Sequence, residues 1–417
     1  MRKVFGKIHL WLSIPIGIIL SLICTTGAIL VFATEISEAI YPERYFTQKV
    51  LDNTIALDKL IPMVNAQLTD NSVKSVQIPS NPKRNYVMAL AEGKRVSAYV
   101  NPYTGKVVEI YSYLDSFFGK VMGLHRWLLF GARDLGRNIV GYTTLVAVLI
   151  IISGIVIWWP KTKKQLKSRL KISTENGPKR LLYDLHSSLA IYLSIGFLVL
   201  ALTGLTWSFD WYRQGFYAIF GVKMERRPEN GGQKDASSPK RGERPPSPVK
   251  DDRRMNQSAR AENSPPKPAD RRIKPGTEKG EKQEGRSLEE DSKTVDYAHW
   301  EMALNNIKKT VPEYKSITIS QGSANVAPLS QYGNERKADK YSIDPATGAI
   351  QEVKLYSKAK KSDKIRGWIY SVHVGSWGGL TTKILTFLIA LLAGTLPLTG
   401  YYIYYLKRKK KWQKREA

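Results

Sequence analysis

Cysteine is almost absent from this chain. Of 417 residues only Cys24 is a cysteine, and it lies inside a long apolar run. Disulfides are therefore excluded as a source of stability, and a thiolate metal site is excluded with them. Acidic residues are also short: 36 Asp and Glu stand against 64 Lys and Arg, for a formal charge of +28. A charge of that size fits nucleic acid or an acidic surface. Here, however, the basic residues cluster beside long apolar runs, which is a membrane-topology signal and gives no reason to expect a nucleic-acid partner. Histidine is nearly as rare as cysteine, with five in the whole chain.

Four apolar runs are present, roughly residues 10–33, 139–159, 189–209 and 380–406. Each is long enough to cross a bilayer, which takes about 20 residues. No A-x-A site follows the first run, so it reads as an uncleaved span and not as a signal peptide. Arg2, Lys3 and Lys7 precede it, eight Lys or Arg fall in residues 161–180, and seven more in 407–415. These 18 basic residues flank one side of the four spans with hardly any acid between them. That side is expected to be cytoplasmic, and with it both termini.

The layout that follows is a cytoplasmic N-terminus (1–9), a first span (10–33), an extracytoplasmic segment (34–123), and an outer histidine segment leading into the second span (124–159). A basic cytoplasmic loop (160–183), a third span (184–209), and a second extracytoplasmic segment (210–225 and 294–366) come next. A further histidine segment with the fourth span (367–406) and a basic tail (407–417) end the chain. The two outer segments are too long to be simple connections. In the first, residues 57–68 have helical spacing, and strands are predicted near 73–78, 85–90 and 95–100, the last ending at the turn Asn101-Pro102-Tyr103-Thr104-Gly105. In the second, residues 300–310 read as helix, and strands follow up to Asp344-Pro345-Ala346-Thr347-Gly348. Both contain the same small α+β unit. Residues 226–293 hold nine prolines, no aromatic residue, and 18 basic against 13 acidic residues, a composition that predicts a disordered, solvated insertion.

The membrane half repeats as well. Aligning His9 with His186 puts Thr26-Gly27 on Thr203-Gly204 without a gap, and Ser153-Gly154 parallels Thr399-Gly400. The fold class expected is therefore membrane α-helical: a four-helix transmembrane bundle built from a duplicated unit, with two extracytoplasmic α+β domains.

Four of the five histidines sit at the ends of the four spans. His9 and His186 belong to the cytoplasmic ends of spans one and three, His125 and His373 to the outer ends of spans two and four. Ionisable residues at a membrane are costly and point to function. Two histidines are too few for zinc, which recruits further ligands, whereas haem needs only two axial ligands on opposite sides of a flat ring. The expected metal ligands are thus His9 with His186 and His125 with His373. Gly27 and Gly204 reach the outer level and Gly154 and Gly400 the inner one, where a missing side chain is expected to leave room for a porphyrin. Lacking C-x-x-C-H, the chain is expected to hold two haem b groups. Arg126 and Lys383 are candidates to pair with propionates, Trp127, Trp368 and Trp377 to line a ring edge, and His299 to be an ordinary domain residue.

Gly6-Lys7-Ile8-His9, Leu124-His125-Arg126, Asp184-Leu185-His186 and His373-Val374-Gly375-Ser376-Trp377-Gly378-Gly379 resemble the PepSY-associated transmembrane family. That family includes iron-regulated membrane proteins of the PiuB kind and ferric-siderophore reductases of the FoxB kind. The 101–105 and 344–348 turns resemble the closing turns of PepSY domains, and the resemblance covers nearly the whole chain outside 226–293. It implies a bacterial cytoplasmic-membrane oxidoreductase, with two haems held by the four membrane histidines, passing electrons outward to a ferric siderophore or other ferric chelate. Residues 160–183 are too few for a nucleotide or flavin domain and contain no G-x-G-x-x-G, so the electron donor is expected to be a separate cytoplasmic reductase or a quinol. The alternative is a non-enzymatic membrane protein whose PepSY domains regulate a peptidase or sense the envelope.

Overall fold

The structure, a computed structural model, describes residues 1–223 and 295–416; the insertion expected at 226–293 lies outside the described residues. Four helical stretches are long and apolar enough to cross a membrane: Arg2–Val31, Arg133–Trp158, Gly177–Leu205 and Ser376–Lys409. In chain order, α1 (Arg2–Val31) bends at Phe32 into α2 (Ala33–Ile40) and α3 (Pro42–Tyr45), followed by α4 (Leu57–Asn65). After four strands come α5 (Phe117–Trp127), α6 (Arg133–Trp158), α7 (Lys163–Leu170) and α8 (Gly177–Asp184). One wide turn of π-helix at Leu185–Leu189 joins α8 to α9 (Ala190–Leu205), which leads to α10 (Asp210–Ile219). Then follow α11 (Trp300–Thr310), four more strands, α12 (Lys361–Val374) and α13 (Gly379–Glu416).

The strands are β1 (Val73–Pro79), β2 (Tyr86–Leu90), β3 (Val96–Val100), β4 (Val107–Ser112), β5 (Ser316–Ser320), β6 (Ser323–Ala327), β7 (Asp339–Ile343) and β8 (Ile350–Lys354). Each outer segment contributes a helix and a four-stranded meander, where the sequence reading of the first has a helix and three strands; β4 is the addition. They do not form two separate domains. All eight strands join one antiparallel sheet in the order β4-β3-β2-β1-β5-β6-β7-β8. The seam is β1 against β5, with Ser75 opposite Ser320 and Pro79 opposite Ser316.

The reason for the merger is physical. A four-stranded sheet with one short helix buries little, and its first strand is an open edge. Pairing the two first strands removes both edges and lets Leu60, Ile61 and Val64 of α4 share one core with Leu304 and Ile307 of α11, over Val76, Met88, Ile317 and Ile319. Each such side chain contributes about 1.5–3 kcal/mol on burial. The remaining edges are protected differently. β8 is exposed and charged, and β4 is tied down through Glu109, which accepts two hydrogen bonds from the buried Arg44 at 2.8 and 2.7 Å. Arg44 is itself held 4.4 Å from the ring centroids of both Tyr41 and Tyr111.

The two predicted turns form as read. Gly105 (φ +71°) and Gly348 (φ +67°) take left-handed backbone that favours glycine, and their amides donate to the Asn101 and Asp344 carbonyls at 3.0 and 2.8 Å. Within the bundle, Gly17 of α1 admits the Tyr401 hydroxyl of α13, which donates to the Ile14 carbonyl at 2.6 Å. Close helix contact through small residues is the expected packing mode in lipid.

Candidate functional site

His125 and His373 precede the second and fourth spanning helices, as the sequence reading has them, and do so on helices of their own. They lie near the C-terminal ends of the separate helices α5 and α12, which stop at left-handed residues, Leu128 (φ 53°) in one case and Gly375 (φ 80°) in the other. Ser116 caps α5 by accepting from the Gly119 amide at 3.0 Å. The sheet hands the chain to these helices, so each histidine is carried back against the bundle on a short arm. His9 sits in the second turn of α1, and His186 lies in the π-turn. Wide turns of that kind are frequent at functional sites, because they re-aim a side chain without ending the helix.

The structure brings the histidines together in the expected pairs. His9 and His186 have ring centroids 6.4 Å apart, and His125 and His373 6.2 Å. A metal bound by two imidazole nitrogens at about 2.0 Å each, with centroids about 1.1 Å behind the nitrogens, needs ring centroids about 6.2 Å apart. Both pairs meet that requirement. Among the described residues no group of three or more His, Cys, Asp or Glu is placed to hold a metal ion, so each pair offers two donors and no more. That is the donor set of a haem with both axial positions filled, which suits electron transfer.

One local device holds every ring. His125 Nδ1 lies 2.9 Å from the Ile23 carbonyl and 3.4 Å from Thr26 Oγ1, both on α1. His9 Nδ1 lies 3.1 Å from the Ile150 carbonyl and 3.1 Å from Ser153 Oγ on α6. His373 repeats this with Leu200 and Thr203 of α9, at 3.1 and 3.0 Å, and His186 with Leu396 and Thr399 of α13, at 3.1 and 3.0 Å. A carbonyl only accepts, so Nδ1 carries the proton and Nε2 keeps its lone pair for a ligand. Each hydroxyl donates back to its own helix: Thr26 to Leu22 and Thr203 to Val199, both at 2.7 Å, and Ser153 to Ile150 and Thr399 to Leu396, both at 2.9 Å. Its oxygen is thereby free to accept from the imidazole.

The glycines complete the device and correct the expectation attached to them. A Cβ on Gly27 would stand 3.0 Å from His125 Cε1, on Gly154 3.3 Å from His9 Cε1, on Gly204 3.1 Å from His373 Cε1, and on Gly400 3.2 Å from His186 Cε1. The space left by each missing side chain is filled by the imidazole of its own half and not by room for a porphyrin. The glycine lies four residues after the accepting carbonyl and directly after the hydroxyl residue. It uncovers that carbonyl, which in a helix is otherwise screened by the side chain one turn on.

Other expectations divide. Lys383 is taken by an ion pair with Glu35 and is not free for a propionate. Trp127 lies beneath the guanidinium groups of Arg126 and Arg133, Trp368 stands edge-on to Phe220, and the Trp377 carbonyl accepts from the Gly333 amide. The aromatic ring that touches a histidine is Trp207, 5.1 Å from His373, a contact that sequence spacing did not disclose. His299 belongs to the sheet domain, at the start of α11. Thr26, Ser153, Thr203 and Thr399 were legible as repeated Ser/Thr-Gly dipeptides, but their role needed the geometry.

The two pairs are well separated. On α1, Ile23 lies 14 positions after His9, and on the α8–α9 span Leu200 lies 14 positions after His186, a rise of about 21 Å. Each histidine is braced by the other spanning helix of its own half, whereas each pair joins one half to the other. A family model described as the PepSY-associated TM region matches residues 7–408. No curated protein matches the chain.

Proposed function

The chain belongs to the PepSY-associated transmembrane family, and on that footing we propose that it is a di-haem electron-transfer protein of a bacterial cytoplasmic membrane. It reduces a ferric siderophore or another ferric chelate on the outer face. The observation that carries this reading is the fourfold brace on the histidines, together with ring separations of 6.4 and 6.2 Å that suit one metal between each pair. His9 with His186 and His125 with His373 would hold two haem b groups. Such groups supply one-electron chemistry when both axial positions are occupied by imidazole.

The protein's own residues do the rest. Eight carbonyl and hydroxyl acceptors keep Nδ1 protonated, so Nε2 is the donor in every case and the rings do not need to reorient to bind. The pairs stand about 21 Å apart along the helices, one toward each face, so the chain offers a site at both ends of the membrane path. The 18 basic residues of the N-terminus, the 161–180 loop and the tail mark the His9 and His186 end as cytoplasmic. By the same rule the sheet and the His125 and His373 pair face outward. We read the two halves as products of a duplication, since helix, meander, histidine arm and brace occur in the same order in each. With only the short helix α7 between the second and third spans, a separate donor must deliver the electrons, either a quinol or a cytoplasmic reductase.

A visible spectrum of detergent-purified protein from haem-sufficient cells tests the proposal. We expect a Soret band, with pigment extractable by acid-acetone because no C-x-x-C-H is present. A colourless preparation would reject electron transfer and leave a non-enzymatic envelope role. Reduced protein in proteoliposomes should then be reoxidised by a ferric chelate added outside, and indifference to every ferric chelate would reject iron as the acceptor.

A further inference from the structure

Two apolar stripes of the bundle stay open to its surroundings. On α6, Leu135, Tyr142 and Leu149 are exposed at intervals of seven residues, and on α9 Tyr192, Ile195 and Val199 are exposed along one face. An apolar stripe left open on a spanning helix is its lipid-facing surface. Both stripes lead to α10. The Tyr142 ring, at the start of the apolar run of α6, meets Phe209 at 5.0 Å, and Phe209 stacks on Trp211 at 5.8 Å and 25°. The Tyr212 hydroxyl donates to the Leu202 carbonyl at 3.0 Å, which pins the first turn of α10 beside the last turn of α9. Helix α10 therefore begins at the rim of the membrane.

This helix is apolar on two opposite faces. Phe216, Tyr217 and Phe220 on one face pack with Trp207 against Ile365 and Ile369 of α12. The other face, Trp211, Gly215, Ala218 and Ile219, is exposed, with Trp211 62% and Ile219 79% open. A Cβ on Gly215 would meet nothing within 4 Å. Those four positions recur at i, i+4, i+7 and i+8, one stripe about 100° wide, and none of them is charged. Asp210 and Arg213 lie off the stripe and pair with each other at 2.8 Å. An open apolar stripe of this kind marks a surface that something else covers.

We propose that α10 lies in the headgroup boundary of the leaflet on the sheet side of the membrane, with the stripe from Trp211 to Ile219 seated in lipid. Continuity carries the assignment: the row Tyr142, Phe209 and Trp211 runs without a break from the lipid-facing stripe of α6 onto the stripe of α10, and aromatic rings are favoured at that depth. Residues 226–293 follow soon after α10, but with 31 charged residues and no aromatic they are poorly suited to cover it. Because α12 carries His373, the seat ties the arm of the outer histidine pair to the bilayer as well as to the bundle. The inference uses the membrane family and does not depend on the haem reading.

Site-directed fluorescence on the full-length protein in lipid nanodiscs tests it. Cys24, the sole cysteine, is buried in α1, so in a Cys24→Ser background a bimane on Ile219→Cys reports that position alone. Lipid carrying a nitroxide near the headgroup should quench it strongly and aqueous iodide weakly. The order should reverse for Lys94→Cys, exposed on the turn between β2 and β3, and Trp211→Cys should behave as Ile219→Cys does. Iodide quenching at Ile219 as strong as at Lys94 overturns the proposal, because the stripe would then face water. Shielding from both quenchers overturns it too. Disulfide-linked dimers of the Ile219→Cys protein would in that case assign the stripe to a second copy, and access to iodide gained on deleting residues 226–293 would assign it to that segment.

Discussion

The inner and outer histidine pairs share one brace and differ in nearly everything around it. Inside, His9 and His186 stand almost perpendicular, at 84°, and one of them rides on a π-turn. Outside, His125 and His373 are inclined at 49°, Trp207 abuts one ring, and Arg126, set against Trp127, follows the other in sequence. What recurs is the means of fixing Nδ1: a carbonyl, a hydroxyl three residues on, and a glycine after that. What varies is the surroundings a ligand would meet. The difference separates the residues that orient a ring from those that make one pair unlike the other.

The comparison breaks most sharply if the pairs are not independent. His9→Ala should remove one spectral component and His373→Ala the other, each lowering the haem-to-protein ratio by about half, because losing one axial ligand disables one site. Loss of the same component in both variants would show that the pairing is wrong. A second effect should be smaller and graded. Thr203→Val, Thr399→Val, Ser153→Ala and Thr26→Val each delete one acceptor behind a ligand, a change that costs about 10–100-fold in metal-site affinity. Thr26, at 3.4 Å, should sit at the weak end of that range and Thr203, at 3.0 Å, at the strong end. Haem transfer to an apoprotein acceptor would rank them, and equal losses would count against the brace.

Glycine substitutions come next. Gly27→Ala sets a methyl 3.0 Å from His125 and Gly154→Ala sets one 3.3 Å from His9, so each ring must give by a few tenths of an ångström. The expected cost is about 1 kcal/mol, roughly fivefold in retention, and larger at Gly27. Were the glycines making room for a porphyrin, the shift would appear in haem content without lengthening the Nδ1 hydrogen bonds, and histidine Nδ1 proton resonances would tell the cases apart. The smallest effect is spectroscopic. Perpendicular axial imidazoles give a more anisotropic low-spin ferric signal than inclined ones, so electron paramagnetic resonance should resolve the pairs, and Trp207→Leu should move only the outer signal.

Much was legible before any coordinates because it is local. The four spans follow from apolar runs, α11 from the 300–310 periodicity, and the Gly105 and Gly348 turns from residues that choose their own backbone. The four histidines stood out through rarity and through the repeat. The repeat was legible although His125 precedes Gly154 by 29 residues and His373 precedes Gly400 by 27. The strand at Val107–Ser112 was missed because its predicted partners ended at the preceding turn.

Sequence alone determined the spans, their orientation signal, and the four histidines with their grouping into two pairs, since each depends on composition or on symmetric spacing along one chain. Tertiary structure alone decided that the two outer segments share a single sheet, that glycine faces imidazole, that Glu35 claims Lys383 from 348 residues away, and that Trp207 meets His373. Those are contacts between distant segments, and no local preference states which open edge, carbonyl or charge another part of the chain will find. The free energy of burying an edge or satisfying a donor is defined only once both partners are in place.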